Sequence, residues 1–128
     1  MDPLDALDFE KGGGLVTAIA VDDASGEVLI VAFANELSMR RTLETGEVHY
    51  WSRSRAKLWH KGEESGNVQK LVSLQIDCDG DVVLMRVEQI GGAACHTGKR
   101  SCFFRKLDDG SWADVGEQVF DPEQVYKR

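Results

Sequence analysis

A mainly β, single-domain fold with one main helix is what this sequence predicts, and three observations predict it. Short β-branched, apolar runs recur between turn-forming residues, only one stretch carries helix start and stop signals, and no repeat or low-complexity segment divides the chain. A length of 128 residues fits one domain. With 42% hydrophobic residues the chain can form a core, but so small a domain buries a modest share of its surface and gains from a metal or a second subunit.

The elements come in order along the chain. Residues 1–14 are a lead-in ending in Gly12-Gly13-Gly14, a flexible turn. LVTAIAV (15–21) and EVLIVAFA (27–34) read as strands joined by the hairpin chemistry of DDASG. NELSMRRTLETG (35–46) reads as the helix, with Asn35 as N-cap and Gly46 as its stop. EVHYWSRSR and AKLWHKG, within 47–62, alternate aromatic and basic residues as a half-buried strand pair does. ESGN (64–67) makes a turn, and VQKLVSLQID (68–77) and DVVLMRVEQI (81–90) are strands about a tight CDG connection. GGAACHTGK (91–99) is a loop and RSCFFRKL (100–107) a final strand, while DDG and the residues beyond it carry no readable element. The expected organisation is a lead-in over 1–14, the main domain over 15–107 and a tail over 108–128 packed on that domain.

A formal charge of −7 argues against nucleic acid or an anionic membrane as the main partner, because both attract basic surfaces. Two stretches nevertheless lack acids. One, between Val48 and Gly62, holds Arg53, Arg55, Lys57 and Lys61; the other, between Gln89 and Leu107, holds Lys99, Arg100, Arg105 and Lys106. They are either solvated faces or cationic patches for a small phosphorylated ligand. The acidic N-terminus lacks the apolar stretch of a signal peptide, and no run approaches a membrane span, so a cytoplasmic location is expected. Three cysteines cannot all pair within one chain, and without export they read as thiols for metal or chemistry.

The thiols Cys78, Cys95 and Cys102 have the spacing C-x16-C-x6-C, unlike a paired zinc ribbon. Three thiolates leave a fourth tetrahedral position open, the arrangement of a catalytic zinc; the alternative is that small cysteines simply pack in the core. Asp77, Asp79 and Asp81 alternate along an extended segment and share one side, where their oxygens suit a hard cation such as Mg²⁺; the alternative is a solvated turn. An EF-hand is excluded, because the sixth loop position is Val82 and the flanks are strand-like. His96, beside Cys95, has three readings: a fourth ligand, a general base or an exposed bystander. Tyr50-Trp51-Ser52-Arg53-Ser54-Arg55 interleaves rings that can stack a purine with guanidiniums that match phosphate oxygens, or else tucks its rings into the core.

Taken together, YWSRSR, KGE-x-SG, D-C-D-x-D and ACHTG-x-x-SCF resemble the phosphoribosyl-AMP cyclohydrolase family over nearly the whole chain. No single element of that combination is specific; the set is. The resemblance implies a catalytic domain that hydrolyses the N1–C6 bond of the adenine in N1-(5-phosphoribosyl)-AMP, a step of histidine biosynthesis. It implies zinc on Cys78, Cys95 and Cys102, magnesium on Asp77, Asp79 and Asp81, and His96 as the residue that takes a proton from the attacking water. Candidate contacts to the phosphorylated nucleotide are Trp51, Ser52, Arg53, Ser54, Arg55, Lys61, Lys99 and Arg100. The implied fold is a mainly antiparallel β pseudobarrel in an intertwined homodimer, with Cys78 from one subunit and Cys95 and Cys102 from the other. Departures are mild: Thr17 stands where many relatives have proline, Val21 where many have glutamine, and GGAAC is one residue longer than the common GPAC. No fused pyrophosphohydrolase domain is expected.

Two rivals fit less well. A zinc deaminase predicts H-x-E with P-C-x-x-C, and neither motif occurs. A zinc-stabilised binding module predicts four protein ligands and no turnover.

Overall fold

A computed structural model describes residues 2–125. The lead-in folds as a 3-10 turn over Pro3–Ala6, capped by the Asp2 carboxylate, and it buries Leu4 and Leu7 against the sheet. Strands β1 (Val16–Asp22) and β2 (Val28–Ala34) form the first hairpin. Helix α1 (Glu36–Thr45) begins and ends where its caps dictate. Asn35 Oδ1 accepts from the Ser38 N–H at 2.9 Å and Ser38 Oγ accepts from the Asn35 N–H at 2.9 Å, a reciprocal box that satisfies two otherwise orphaned donors. Gly46 ends the helix at φ 74°, a left-handed conformation that glycine adopts without a Cβ penalty.

Strands β3 (His49–Ser52) and β4 (Lys57–His60) form a separate two-stranded ribbon. Strands β5 (Gln69–Ile76) and β6 (Val82–Gln89) complete a four-stranded sheet of order β2-β1-β6-β5. The core lies on one face of this sheet: Val16, Ala18 and Ala20 of β1 alternate inward, as do Val83, Met85 and Val87 of β6. Met39 of α1 and Tyr50 of β3 close over them, both fully buried. The Tyr50 hydroxyl donates to Gln69 Oε1 at 2.7 Å, Gln69 Nε2 to Gln89 Oε1 at 2.8 Å, and Gln89 Nε2 to the Asn67 carbonyl at 2.9 Å. That chain of bonds is what permits polar side chains in the core. Among the described residues no helix is long and apolar enough to cross a membrane.

The mainly β fold with one main helix agrees with expectation, but three details differ. First, the sheet is mixed: β1 and β6 run parallel, while all other pairs are antiparallel. Four elements separate β1 from the β5–β6 hairpin, a connection long enough for β6 to slot in alongside β1. Second, the expected strand over 100–107 is broken. Ser101 Oγ donates to the Val28 carbonyl and the Cys102 N–H to the Leu29 carbonyl, so these residues are drawn onto the β2 edge as irregular chain. A strand, β7 (Arg105–Asp108), starts only after them. Third, β7 turns back as β8 (Ser111–Asp114) through Asp109 and Gly110, both left-handed, and a short helix α2 (Pro122–Val125) comes after it. The tail, in which the sequence offers no readable element, lies along the 91–99 loop, where Lys99 bridges Gln118.

Candidate active site

The loop 94–102 brings two of the three thiols together. The Ala94 N–H donates to the Arg100 carbonyl, the Cys95 N–H to the Lys99 carbonyl and the Gly98 N–H to the Cys95 carbonyl, folding the loop on itself. Gly98 sits at φ 86°, and a Cβ there would collide with the Phe120 carbonyl and the Gln118 side chain. The tail therefore packs flush against the turn. Cys95 is buried and Cys102 half-buried, their thiols are hydrogen-bonded to each other, and Thr97 Oγ1 donates to Cys95 Sγ at 3.0 Å.

Burial, with Cys95 beside it, pushes the Cys102 thiol up to about 12, against the pull of the Lys61 ammonium. Lys61 is itself 4% exposed, and burial lowers its pKa while the two thiols act to raise it. A thiol pair in so dry a setting ionises only when a stronger cation stands against it, which is the chemistry of a soft divalent metal. The donor set fits zinc.

Cys78 is elsewhere. It lies just past β5, one edge of the four-stranded sheet, whereas Cys102 is bonded to β2, the other edge. Three strand spacings of roughly 4.8 Å separate the two edges. Cys78 is exposed, and among the described residues no cluster of three ligands includes a cysteine.

Asp77, Asp79 and Asp81 do form a cluster, with one oxygen from each within 4.8 Å of the others. Asp77 shapes the turn, its Oδ1 accepting from the Asp81 and Val82 N–H groups. The Lys11 ammonium stands among the carboxylates, 2.8 Å from Asp79 Oδ2 and 3.2 Å from Asp81 Oδ2. Lys11 holds Asp79 down at about 2 and acts the same way on Asp81, where Asp77, desolvation and Asp79 outweigh it and raise the pKa. A cluster that draws in a tethered ammonium has the donor set for a hard cation.

The expected substrate residues divide among several surroundings. A cleft of about 1170 Å³ is lined by Ser52, Arg55, Trp59, Lys61, His96 and Thr97, among others. It adjoins the thiols: Thr97 on its wall donates to Cys95 Sγ, and Lys61 on its wall lies within electrostatic reach of Cys95 and Cys102. His96 is exposed on its wall. Arg53 points away, stacked over the Phe33 ring at 4.4 Å in a smaller pocket of about 310 Å³ shared with Lys11 and Asp81. Trp51 is half-buried and Ser54 exposed in the β3–β4 turn. Lys99 pairs with Asp114 at 2.8 Å, and Arg100 with Glu27 at 2.7 Å and Asp22 at 3.2 Å; neither lines the cleft. Acid-free sequence is not acid-free space.

Sequence reasoning passed over three groups. Trp59, not Tyr50, presents its ring to the cleft, and Lys61 lies 5.3 Å from that ring. His49 and His60 stack at 4.5 Å, with His60 Nε2 2.7 Å from Glu47 Oε1. Lys11 was hidden by its distance along the chain from the carboxylates. The alternation Trp59-x-Lys61 was the one available signal, because it places both on one side of a strand.

A small β domain with a thiol pair beside a cleft that mixes Arg55, Lys57 and Lys61 with Glu63, Glu64 and Glu123 around Trp59, and with a carboxylate cluster at the far edge of the sheet, has the parts of a hydrolase site. The family model of phosphoribosyl-AMP cyclohydrolases matches residues 30–104. A phosphoribosyl-AMP cyclohydrolase of Desulfatibacillum aliphaticivorans is 58% identical over 95% of this chain and 98% of its own. Those of Geobacter sulfurreducens (52% identical; 95% and 98% covered) and Nitrosomonas europaea (50%; 98% and 96%) are similar along their lengths as well. The chain belongs to the phosphoribosyl-AMP cyclohydrolase family.

Proposed function

We propose that the protein hydrolyses the N1–C6 bond of N1-(5-phosphoribosyl)-AMP, using zinc on Cys95, Cys102 and the Cys78 of a second subunit, and magnesium on Asp77, Asp79 and Asp81. The observation that carries this reading is the thiol pair under the cleft, with His96 on its wall and the third thiol out of reach in the same chain. Zinc held by those sulfurs supplies the Lewis acidity that lets water lose a proton near neutral pH.

The chain's own residues do the rest. Trp59 offers a face for the purine, and Arg55 and Lys57 stand at the cleft for phosphate oxygens. His96 accepts a proton from the attacking water, whose oxygen bonds to C6. As the C6–N1 bond breaks, N1 leaves with a proton and the exocyclic nitrogen takes the second, giving a carboxamide. Exposure lets His96 exchange that proton with solvent between turnovers. Within the homodimer, the two sheets and ribbons together make up the pseudobarrel.

The test joins turnover to subunit sharing. The purified protein should open the ring of the substrate, followed by ultraviolet absorbance, and should hold about one zinc per chain. Cys78→Ser and Cys95→Ser, each inactive, should regain up to about half activity as refolded mixed dimers, because one of the two symmetric sites then keeps all its ligands. Well-folded mixed dimers that stay inactive would mean that each site is built within one chain.

A further inference from the structure

Residues 94–100 form a miniature hairpin. The Ala94 and Cys95 N–H groups donate to the Arg100 and Lys99 carbonyls, and the Gly98 N–H closes the loop on the Cys95 carbonyl. His96, Thr97 and Gly98 are its three-residue tip, and Gly98 takes the left-handed conformation that ends such a tip. Two short antiparallel segments are marginal in water on their own, so the tip needs support from elsewhere in the chain.

Support comes from a third run of chain, residues 117–119. Lys99 bridges Gln118 in antiparallel sense, the Arg100 N–H donates to the Glu117 carbonyl at 2.9 Å, and the Val119 N–H donates to the Gly98 carbonyl at 2.7 Å. These backbone bonds hold the returning half of the hairpin. From outside the loop, the His96–Thr97 part of the tip is bonded by one side chain among the described residues. Gln118 Nε2 donates to the Thr97 carbonyl at 2.8 Å and to the Phe120 carbonyl at 2.7 Å. One amide thus ties the tip to the chain leading into Pro122 and Glu123, which line the cleft along with His96.

His96 depends heavily on that tie. A histidine used as a base is ordinarily oriented by a partner on its own ring. His60, on the same cleft, has one: it is held by Glu47 and stacked on His49. Among the described residues no hydrogen bond, ion pair or ring contact reaches the His96 imidazole, which is exposed. Where that ring stands is therefore set by the backbone beneath it.

We propose that Gln118 is a positioning residue of the active site, holding His96 at the cleft through the Thr97 carbonyl. The proposal rests on the reading of His96 as the proton acceptor, and it adds a residue outside the span 30–104 that the family model matches. Gln118 is exposed, and water readily replaces an exposed hydrogen bond, so the amide contributes little to stability. Its worth is geometric, because a displacement of about 1 Å at a reacting group costs up to about a hundredfold in rate.

The test uses zinc-loaded protein and three substitutions. Gln118→Ala removes the side chain, Gln118→Glu keeps its shape without the N–H donors, and Gln118→Lys restores donors of similar reach. The first two should keep zinc content and circular dichroism, lose about 10- to 100-fold in kcat and hold KM within about twofold; Gln118→Lys should stay within about threefold of the parent. Added to His96→Asn, Gln118→Ala should cost less than about twofold more, because the two residues act as one unit. The chain has 3 histidines, so ring-labelled histidine gives a simple spectrum in nuclear magnetic resonance. There Gln118→Ala should shift or broaden the His96 signal and leave those of His49 and His60 in place. Parent-like kcat in both the Ala and Glu variants, loss of zinc from them, or an equal kcat loss with and without His96 overturns the positioning role while His96 remains the base. Normal turnover in zinc-replete His96→Asn overturns the base and the positioning role together.

Discussion

Cys95 and Cys102 lie in the wall of the protein with a buried lysine behind them, whereas Asp77, Asp79 and Asp81 stand at its rim with an exposed lysine among them. Both are sets of acidic groups beside a lysine, yet Cys102 and Asp79 move in opposite directions. Burial comes first at Cys102 and keeps the thiol protonated, so Lys61 is too weak to ionise it. At Asp79 there is little to desolvate, so Lys11 dominates and keeps the carboxylate charged. The comparison teaches that depth, more than the neighbouring charge, decides whether such a group ionises unaided. On the proposed reading, Cys102 needs zinc to ionise, whereas Asp79 is held charged by Lys11 before any metal arrives.

The largest test of this contrast removes a sulfur. Cys95→Ser and Cys102→Ser should each lose zinc and fall to background turnover, measured as metal content against initial rate; a zinc-replete, active serine variant would take the thiols out of the site. Next comes His96→Asn, which should keep its zinc and lose roughly 10²–10⁴-fold in turnover, the worth of a positioned base. Near-normal turnover in that zinc-replete variant would make His96 a bystander, and loss of zinc would make it a ligand.

Smaller effects belong to the rim. Asp79→Asn should weaken magnesium binding by about tenfold or more, as ligand charge is lost, with zinc content unchanged. Lys11→Met should do the reverse, tightening magnesium by about two- to fivefold, because an exposed ion pair is worth no more than that. Calorimetric titration with magnesium reads both, and an unaltered affinity in the two variants would return the cluster to a turn. The smallest effect is a pH slope. Cys102 has a folded pKa raised from 9.0 to about 12, so its contribution to stability is complete below about pH 9 and is lost as pH rises towards 12. Metal-stripped protein should lose melting temperature across that window more steeply than Cys102→Ala does, and zinc should abolish the slope.

The elements legible in the sequence were those set by local chemistry. Asn35, Ser38 and Gly46 delimit α1 within a dozen residues, and the Cys95–Cys102 pair is closed by a loop short enough to see. What escaped depends on partners distant in the chain. The parallel β1–β6 pair is fixed only when β6 finds its place in the sheet, and residues 100–104 leave their strand because β2 offers carbonyls to Ser101 and Cys102. Lys99 and Arg100 stood in a stretch without acids, but Asp22, Glu27 and Asp114 reach them from elsewhere. Lys11 met its carboxylates in the same way. Composition within a window cannot register a charge that arrives from across the fold.

The clamp on the thiol loop has a consequence for biogenesis. The Arg100 N–H bonds to the Glu117 carbonyl, the Val119 N–H to the Gly98 carbonyl, and the Gln118 side-chain amide to the Thr97 and Phe120 carbonyls. Gly98 leaves no room for anything bulkier beneath that strap. On the ribosome the cysteines therefore emerge before the residues that set their spacing, and the pocket cannot take its final shape until 117–120 have been made. On the proposed reading, zinc can settle on Cys95 and Cys102 in their final geometry only once residues 117–120 have closed over the loop.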